Sequence, residues 1–128
     1  MITGVSNVVL YVDDQERAKD FWTEKMGFDL VQDSPYGDER WIEVTPPDKG
    51  LRLVLSVRPA GQAKNDVPAE LPSSNVMFEC DDLEQTYREL NARGVEFPQP
   101  PIREPWGWWS MFGDTDGIRY ALGSRDEG

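Results

Sequence analysis

The chain has 128 residues, of which 38% are hydrophobic and 11% aromatic, enough for one ordinary core and too interleaved with charge for wholesale disorder. Its net charge of −11, with no histidine, repels nucleic-acid phosphates and anionic lipid surfaces and excludes any catalytic triad built on imidazole. No apolar run reaches the roughly 18 to 20 residues of a membrane span, and MITGVSNVVLYVDD has no charged-then-apolar leader, so a cytoplasmic location is expected.

The first predicted element is an apolar strand starting at Asn7. Asp13 and Asp14 follow, offering side-chain oxygens and negative charge to the unpaired amides of a helix start. Ala18, Phe21, Trp22 and Met26 then fall on one helical stripe, Lys25 suits the last turn, and Gly27 suits the left-handed cap. Strands are expected near 28–32, 40–45 and 51–57, with turns at 34–38 and 46–50. Residues 58–73 carry proline, alanine and polar groups without periodicity, and read as a linker.

At Asn75 the pattern restarts. Asn7, Val8, Asp13, Asp14 and Glu16 recur as Asn75, Val76, Asp81, Asp82 and Glu84 at a constant shift of 68 residues. Leu83, Tyr87 and Leu90 form the second helical stripe, Arg93 matches Lys25, and Gly94 matches Gly27 after a one-residue deletion. Further strands are expected near 95–98, 108–112 and 118–123, the last two joined by a hairpin turn at 113–117, with a frayed tail over 124–128. The expectation is a single α+β domain of two βαβββ modules, about 1–58 and about 73–124, joined by a linker at 59–72. The lone cysteine, Cys80, rules out an intramolecular disulfide and reads as a small buried hydrophobe.

Strand alternation assigns faces. Val8, Leu10 and Val12 belong under the first helix, leaving Asn7, Val9 and Tyr11 on the other side; Val76, Phe78 and Cys80 belong under the second, opposite Asn75, Met77 and Glu79. Ile42 and Val44 oppose Trp41, Glu43 and Thr45, and Leu51, Leu53, Leu55 and Val57 oppose Arg52, Val54 and Ser56. The helix-free faces thus mix aromatic, amide and charged groups, a suitable lining for a small-molecule site.

NVVLYVDDQERAKDFWTEKMGF, its counterpart NVMFECDDLEQTYRELNARGVEF, and the closing MFGDTDGIRYAL together resemble the vicinal-oxygen-chelate superfamily, which includes glyoxalase I, extradiol dioxygenases and bleomycin-resistance proteins. The resemblance covers nearly the whole chain, with Thr115 standing where the closing hairpin usually has proline. It implies two βαβββ modules forming a curved, cup-shaped sheet with helices on the outer face. Metal enzymes of the superfamily take histidines from the opening strand and its second-half match and a glutamate from the last strand. Here those positions hold Asn7, Asn75 and Ala121, and a further acidic ligand position falls near Val54. Amides and an alanine do not hold a divalent transition ion tightly, so neither a metal nor another cofactor is expected.

Three of the five tryptophans, Trp106, Trp108 and Trp109, precede the closing hairpin in a PWGWW segment that resembles bleomycin-resistance proteins. By that resemblance the chain is a homodimer that sequesters a small aromatic natural product without destroying it. Trp41, Trp108 and Trp109 are expected to stack on the ligand, with Glu43 and Arg52 orienting its polar groups; Trp106, Asn7, Asn75 and Tyr11 complete the candidate site. Trp22, on the helical stripe, belongs to the core, and adjacent Trp108 and Trp109 cannot face the same way. The alternative is a metal-independent isomerase, cyclase or lyase with Glu43 or Glu79 as base and Arg52 or Arg119 stabilising an enolate oxygen. No phosphate-cradling glycine loop is present, and neither nucleic acid nor membrane is expected as a partner.

Overall fold

A computed structural model describes residues 1–125. Two compact units divide the chain, Met1–Gln62 and the part from Ala63 onward. The first runs β1 (Asn7–Val12), α1 (Gln15–Asp20), a π-helical turn (Phe21–Lys25), β2 (Asp29–Tyr36), β3 (Glu39–Thr45) and β4 (Arg52–Val57). The second repeats it with β5 (Met77–Glu79), α2 (Leu83–Ala92), β6 (Ile102–Glu104), β7 (Gly107–Gly113) and β8 (Arg119–Arg125). Strand orders β1-β4-β3-β2 and β5-β8-β7-β6 are the same topology twice. In each sheet the first strand pairs in parallel with the last and the remaining pairs are antiparallel.

The helices form where the aspartates cap them. Asp14 accepts a hydrogen bond from Arg17 N and Asp82 one from Gln85 N, each at 3.1 Å, occupying an amide that the first turn leaves open. Gly27 and Gly94 then terminate the helices with φ of 79° and 92°, angles that favour a residue without Cβ. In the first unit Ala18, Phe21 and Trp22 bury against Leu10, Val12, Ile42, Val44, Leu53 and Leu55; each large aliphatic or Phe side chain so buried stabilises the fold by about 2 kcal/mol. In the second, Leu83 and Leu90 bury with Val95, Phe112, Tyr120 and Leu122.

Polar groups lock α1 onto its sheet. Gln15 is buried and donates through Nε2 to the carbonyls of Arg40 (2.7 Å) and Leu55 (2.8 Å), while its Oε1 accepts from Arg40 N (3.1 Å). One amide side chain therefore completes the backbone bonding of two strands. Beside it, Asp33 accepts from Arg40 Nε (3.0 Å) and Lys19 Nζ (3.1 Å). The Arg40 hydrogen bond above all holds the Asp33 carboxyl at about 2, well below the usual carboxylate value.

Several expected elements move. β2 continues through the anticipated turn to Tyr36, because it is an edge strand on which Pro35 needs no ladder donor; the reversal is confined to Gly37 and Asp38, with φ of 61° at Gly37. Residues 95–98 do not form the expected strand. Only Glu96 bridges to Gly113, after which Pro98, Pro100 and Pro101 bar a ladder, and the edge strand is built instead from Ile102–Glu104. Ser124 and Arg125, assigned to a frayed tail, belong to β8; the rest of that tail lies outside the described residues. Cys80 falls just beyond β5 and is half-buried, its thiol pushed up by desolvation.

Candidate functional site

In the first unit, the helix-free face gathers side chains from all four strands. Asn7 is the register partner of Arg52, Tyr11 of Ser56, and Val54 of both Val9 and Glu43. Trp41 Nε1 donates to Glu43 Oε1 at 2.7 Å, and Arg52 Nη1 donates to Glu43 Oε2 at 3.3 Å. Glu43 is buried to 6% exposure while Arg52 is half exposed, so the carboxylate acts as a fixed post that sets both the indole plane and the guanidinium. With both oxygens held by donors, it is poorly placed to abstract a proton. The structure adds Tyr36, whose ring meets that of Trp41 edge-on at 5.3 Å between centroids. That contact was hidden because Tyr36 lay in an expected turn.

The second unit carries a concavity of about 770 Å3 on its helix-free face, lined by Met77, Glu79, Trp106, Trp109, Ala121 and Gly123 among others. Trp109 pairs with Gly123 in register, and the Trp106 ring lies over the same glycine. A Cβ at 123 would meet the Trp108 carbonyl oxygen at 3.2 Å and Trp106 ring carbons at 3.5 and 3.6 Å, so the bare backbone here is what seats the indole. A glycine interrupting an apolar strand is a sequence signal for such a close approach. Volume and lining both suit a drug-sized planar molecule.

Not all the candidate residues come together. Trp108 alternates to the helix side of β7, where it lines a cleft with Glu84, Tyr87, Arg88 and Pro101, and the Arg103 guanidinium lies 5.6 Å from its ring centroid. It does not line the concavity that Trp109 lines. Asn75 is exposed in the segment preceding β5. Arg119, an alternative oxyanion group, is otherwise employed: it donates to the carbonyls of Leu71 (2.8 Å) and Pro68 (3.1 Å), pinning the linker.

The positions where metal-dependent relatives place their ligands hold Asn7, Asn75 and Ala121, with Val54 near the fourth. Ala121 is buried between Met77 and Met111, its register partners, and Val54 is buried among Val9 and Glu43. Among the described residues no three His, Cys, Asp or Glu side chains gather as a ligand set. This donor set does not fit a divalent transition metal.

Two βαβββ units with one strand order, and a sequence match to the family pattern over residues 4–122, define the class: the chain belongs to the Glyoxalase/Bleomycin resistance protein/Dioxygenase superfamily. It is 41% identical to the Bacillus subtilis (strain 168) protein YetH over 95% of this chain and 98% of that one. Among solved structures it is similar to TnmS3, an antibiotic binding protein from Streptomyces sp. CB03234, at 33% identity and a TM-score of 0.80 over 98% of each chain. It is also similar to a superfamily member from Sphaerobacter thermophilus DSM 20745, at 27% identity and a TM-score of 0.80 over 97% of this chain and 98% of that one. None of the helices described is long and apolar enough to cross a membrane.

Proposed function

We propose that the chain is a metal-independent binding protein that sequesters a small aromatic natural product or antibiotic and releases it unaltered. The observation that carries this reading is the concavity of the second unit, where Trp106 and Trp109 offer indole faces beside Met77 and the Glu79 carboxylate. The similarity to TnmS3, an antibiotic binding protein, supports the same class of ligand. The Trp41, Glu43 and Arg52 cluster offers a further indole and a held polar pair on the first unit's own face.

In this reading the protein works as a cytoplasmic homodimer, and sedimentation is expected to give twice the 14.6 kDa chain mass. The deciding experiment is a titration of tryptophan fluorescence with a panel of polycyclic aromatic antibiotics, followed by mass spectrometry of the recovered ligand. Saturable, stoichiometric quenching with an intact ligand is expected, weakened at least tenfold by Trp109→Ala. A ligand recovered chemically changed, by turnover that resists chelators and is lost in Glu79→Gln, replaces the binding role with catalysis. A panel that leaves the fluorescence untouched overturns it.

A further inference from the structure

We infer that Lys49 and Arg52 form an anion-recognising subsite, so that the preferred ligand is a planar aromatic carrying a carboxylate or similar acidic group. This rests on the binding role proposed above and adds the charge class of what is bound. Lys49 closes the turn between β3 and β4, its N–H donating to the Pro46 carbonyl at 2.9 Å. Its φ of 59° makes it the one non-glycine residue with positive φ among those described. Such backbone costs a residue with a Cβ roughly 1 kcal/mol, and the chain carries the lysine there although glycine is the natural occupant. Among the described residues Lys49 makes no ion pair.

Lys49 and Arg52 line one concavity of about 490 Å3, together with Asp29, Leu30, Val31 and Thr45. The lining carries two cations and the Asp29 carboxylate, and Arg52 is in addition paired with Glu43. Among the described residues the Arg52 guanidinium, with five N–H donors, is engaged at Nη1 by Glu43. The Thr45 hydroxyl donates to the Leu51 carbonyl at 2.8 Å, so its proton is committed within the fold and the donors to an anion are Lys49 and Arg52. Leu30 and Val31 are exposed apolar side chains at the bulge of β2 and give the concavity an apolar edge. Contacts run without a break from Arg52 through Glu43 to Trp41, so an acidic group held at the guanidinium leaves its aromatic body on the face that carries the indole.

The test compares three probes of one shape, 9-anthracenecarboxylate, 9-anthracenemethanol and 9-(aminomethyl)anthracene, titrated by tryptophan fluorescence at low salt. The carboxylate is expected to bind about 10-fold more tightly than the alcohol and more tightly still than the amine. Lys49→Gly and Arg52→Gln each narrow the advantage of the carboxylate over the alcohol by about 3- to 10-fold. Lys49→Gly unfolds no earlier than the parent, because glycine takes the left-handed turn without strain, so its effect is one of charge and not of folding. The inference is overturned if alcohol or amine binds as tightly as the carboxylate, or if neither substitution alters the preference. Binding by none of the three also overturns this inference, whereas the binding role falls only if the antibiotic panel leaves the fluorescence untouched as well.

Discussion

Replacing Glu43 with glutamine keeps the shape of the side chain and removes its charge, which isolates the post that sets Trp41 and Arg52. The Trp41 bond is short, at 2.7 Å, and ends on a carboxylate with 6% exposure, where a hydrogen bond to a charged group contributes about 1.5–3 kcal/mol. The Arg52 pair is half exposed and contributes about 0–1 kcal/mol. Glutamine retains one neutral bond from the indole, about 1 kcal/mol, but its amide N–H then confronts the guanidinium. The net loss is about 1–2 kcal/mol, or roughly 1 M in the urea midpoint followed by far-UV circular dichroism. Trp41→Phe removes the donor from the other side, and the double-mutant cycle is expected to show a coupling of about 1 kcal/mol. An unchanged midpoint for Glu43→Gln, or strictly additive substitutions, refutes the post and leaves Trp41 positioned by packing alone.

Gln15→Ala strips bonding partners from the Arg40 amide and carbonyl and the Leu55 carbonyl, and is expected to cost about 2–4 kcal/mol by urea denaturation, far more than an ordinary helix substitution. Asp33 has a depressed folded value of about 2 against an ordinary 3.8, so its contribution is complete above about pH 4 and disappears as pH falls toward 2. Asp33→Asn should flatten that segment of the stability profile in acid titrations and lower stability near neutrality by about 1 kcal/mol, after screening by its partly exposed partners. Gly123→Val places branched carbons where the Trp106 ring and the Trp108 carbonyl already approach, and is expected to destabilise by about 1–3 kcal/mol and to shift Trp106 emission to the red.

The sequence made the duplication legible because caps and stops are local chemistry: Asp14 and Asp82, Gly27 and Gly94 act within one turn of their own positions. The helix-free face of the first unit was legible for the same reason, since alternation is a property of each strand alone. What lay beyond reach depended on neighbours. The one-residue offset between the copies corresponds to the π-helical turn at Phe21–Lys25, which absorbs the extra residue while keeping Phe21 and Trp22 both buried; periodicity alone reads it as ordinary helix. Pro35 signals a turn until β2 is known to be an edge, and Val95 to Pro98 reads as a strand until the following prolines leave it unpaired. That Trp108 and Trp109 diverge followed from adjacency, but which of them faces α2 required the register of β7. Lys49 gave no signal at all, because its importance lies in a backbone angle.

Arg119 also decides where this molecule can be cut and recombined. Its guanidinium and its amide group fasten Pro68, Leu71 and Ser73, Asn65 donates to the Ser73 carbonyl, and Lys64 reaches the Asp116 carbonyl, so the later part of the connecting peptide is upholstery of the C-terminal copy. A hybrid that exchanges halves with a relative should therefore be spliced between Gln62 and Ala63. Splicing nearer Ser73 would graft a foreign strap onto an arginine shaped to grip its own.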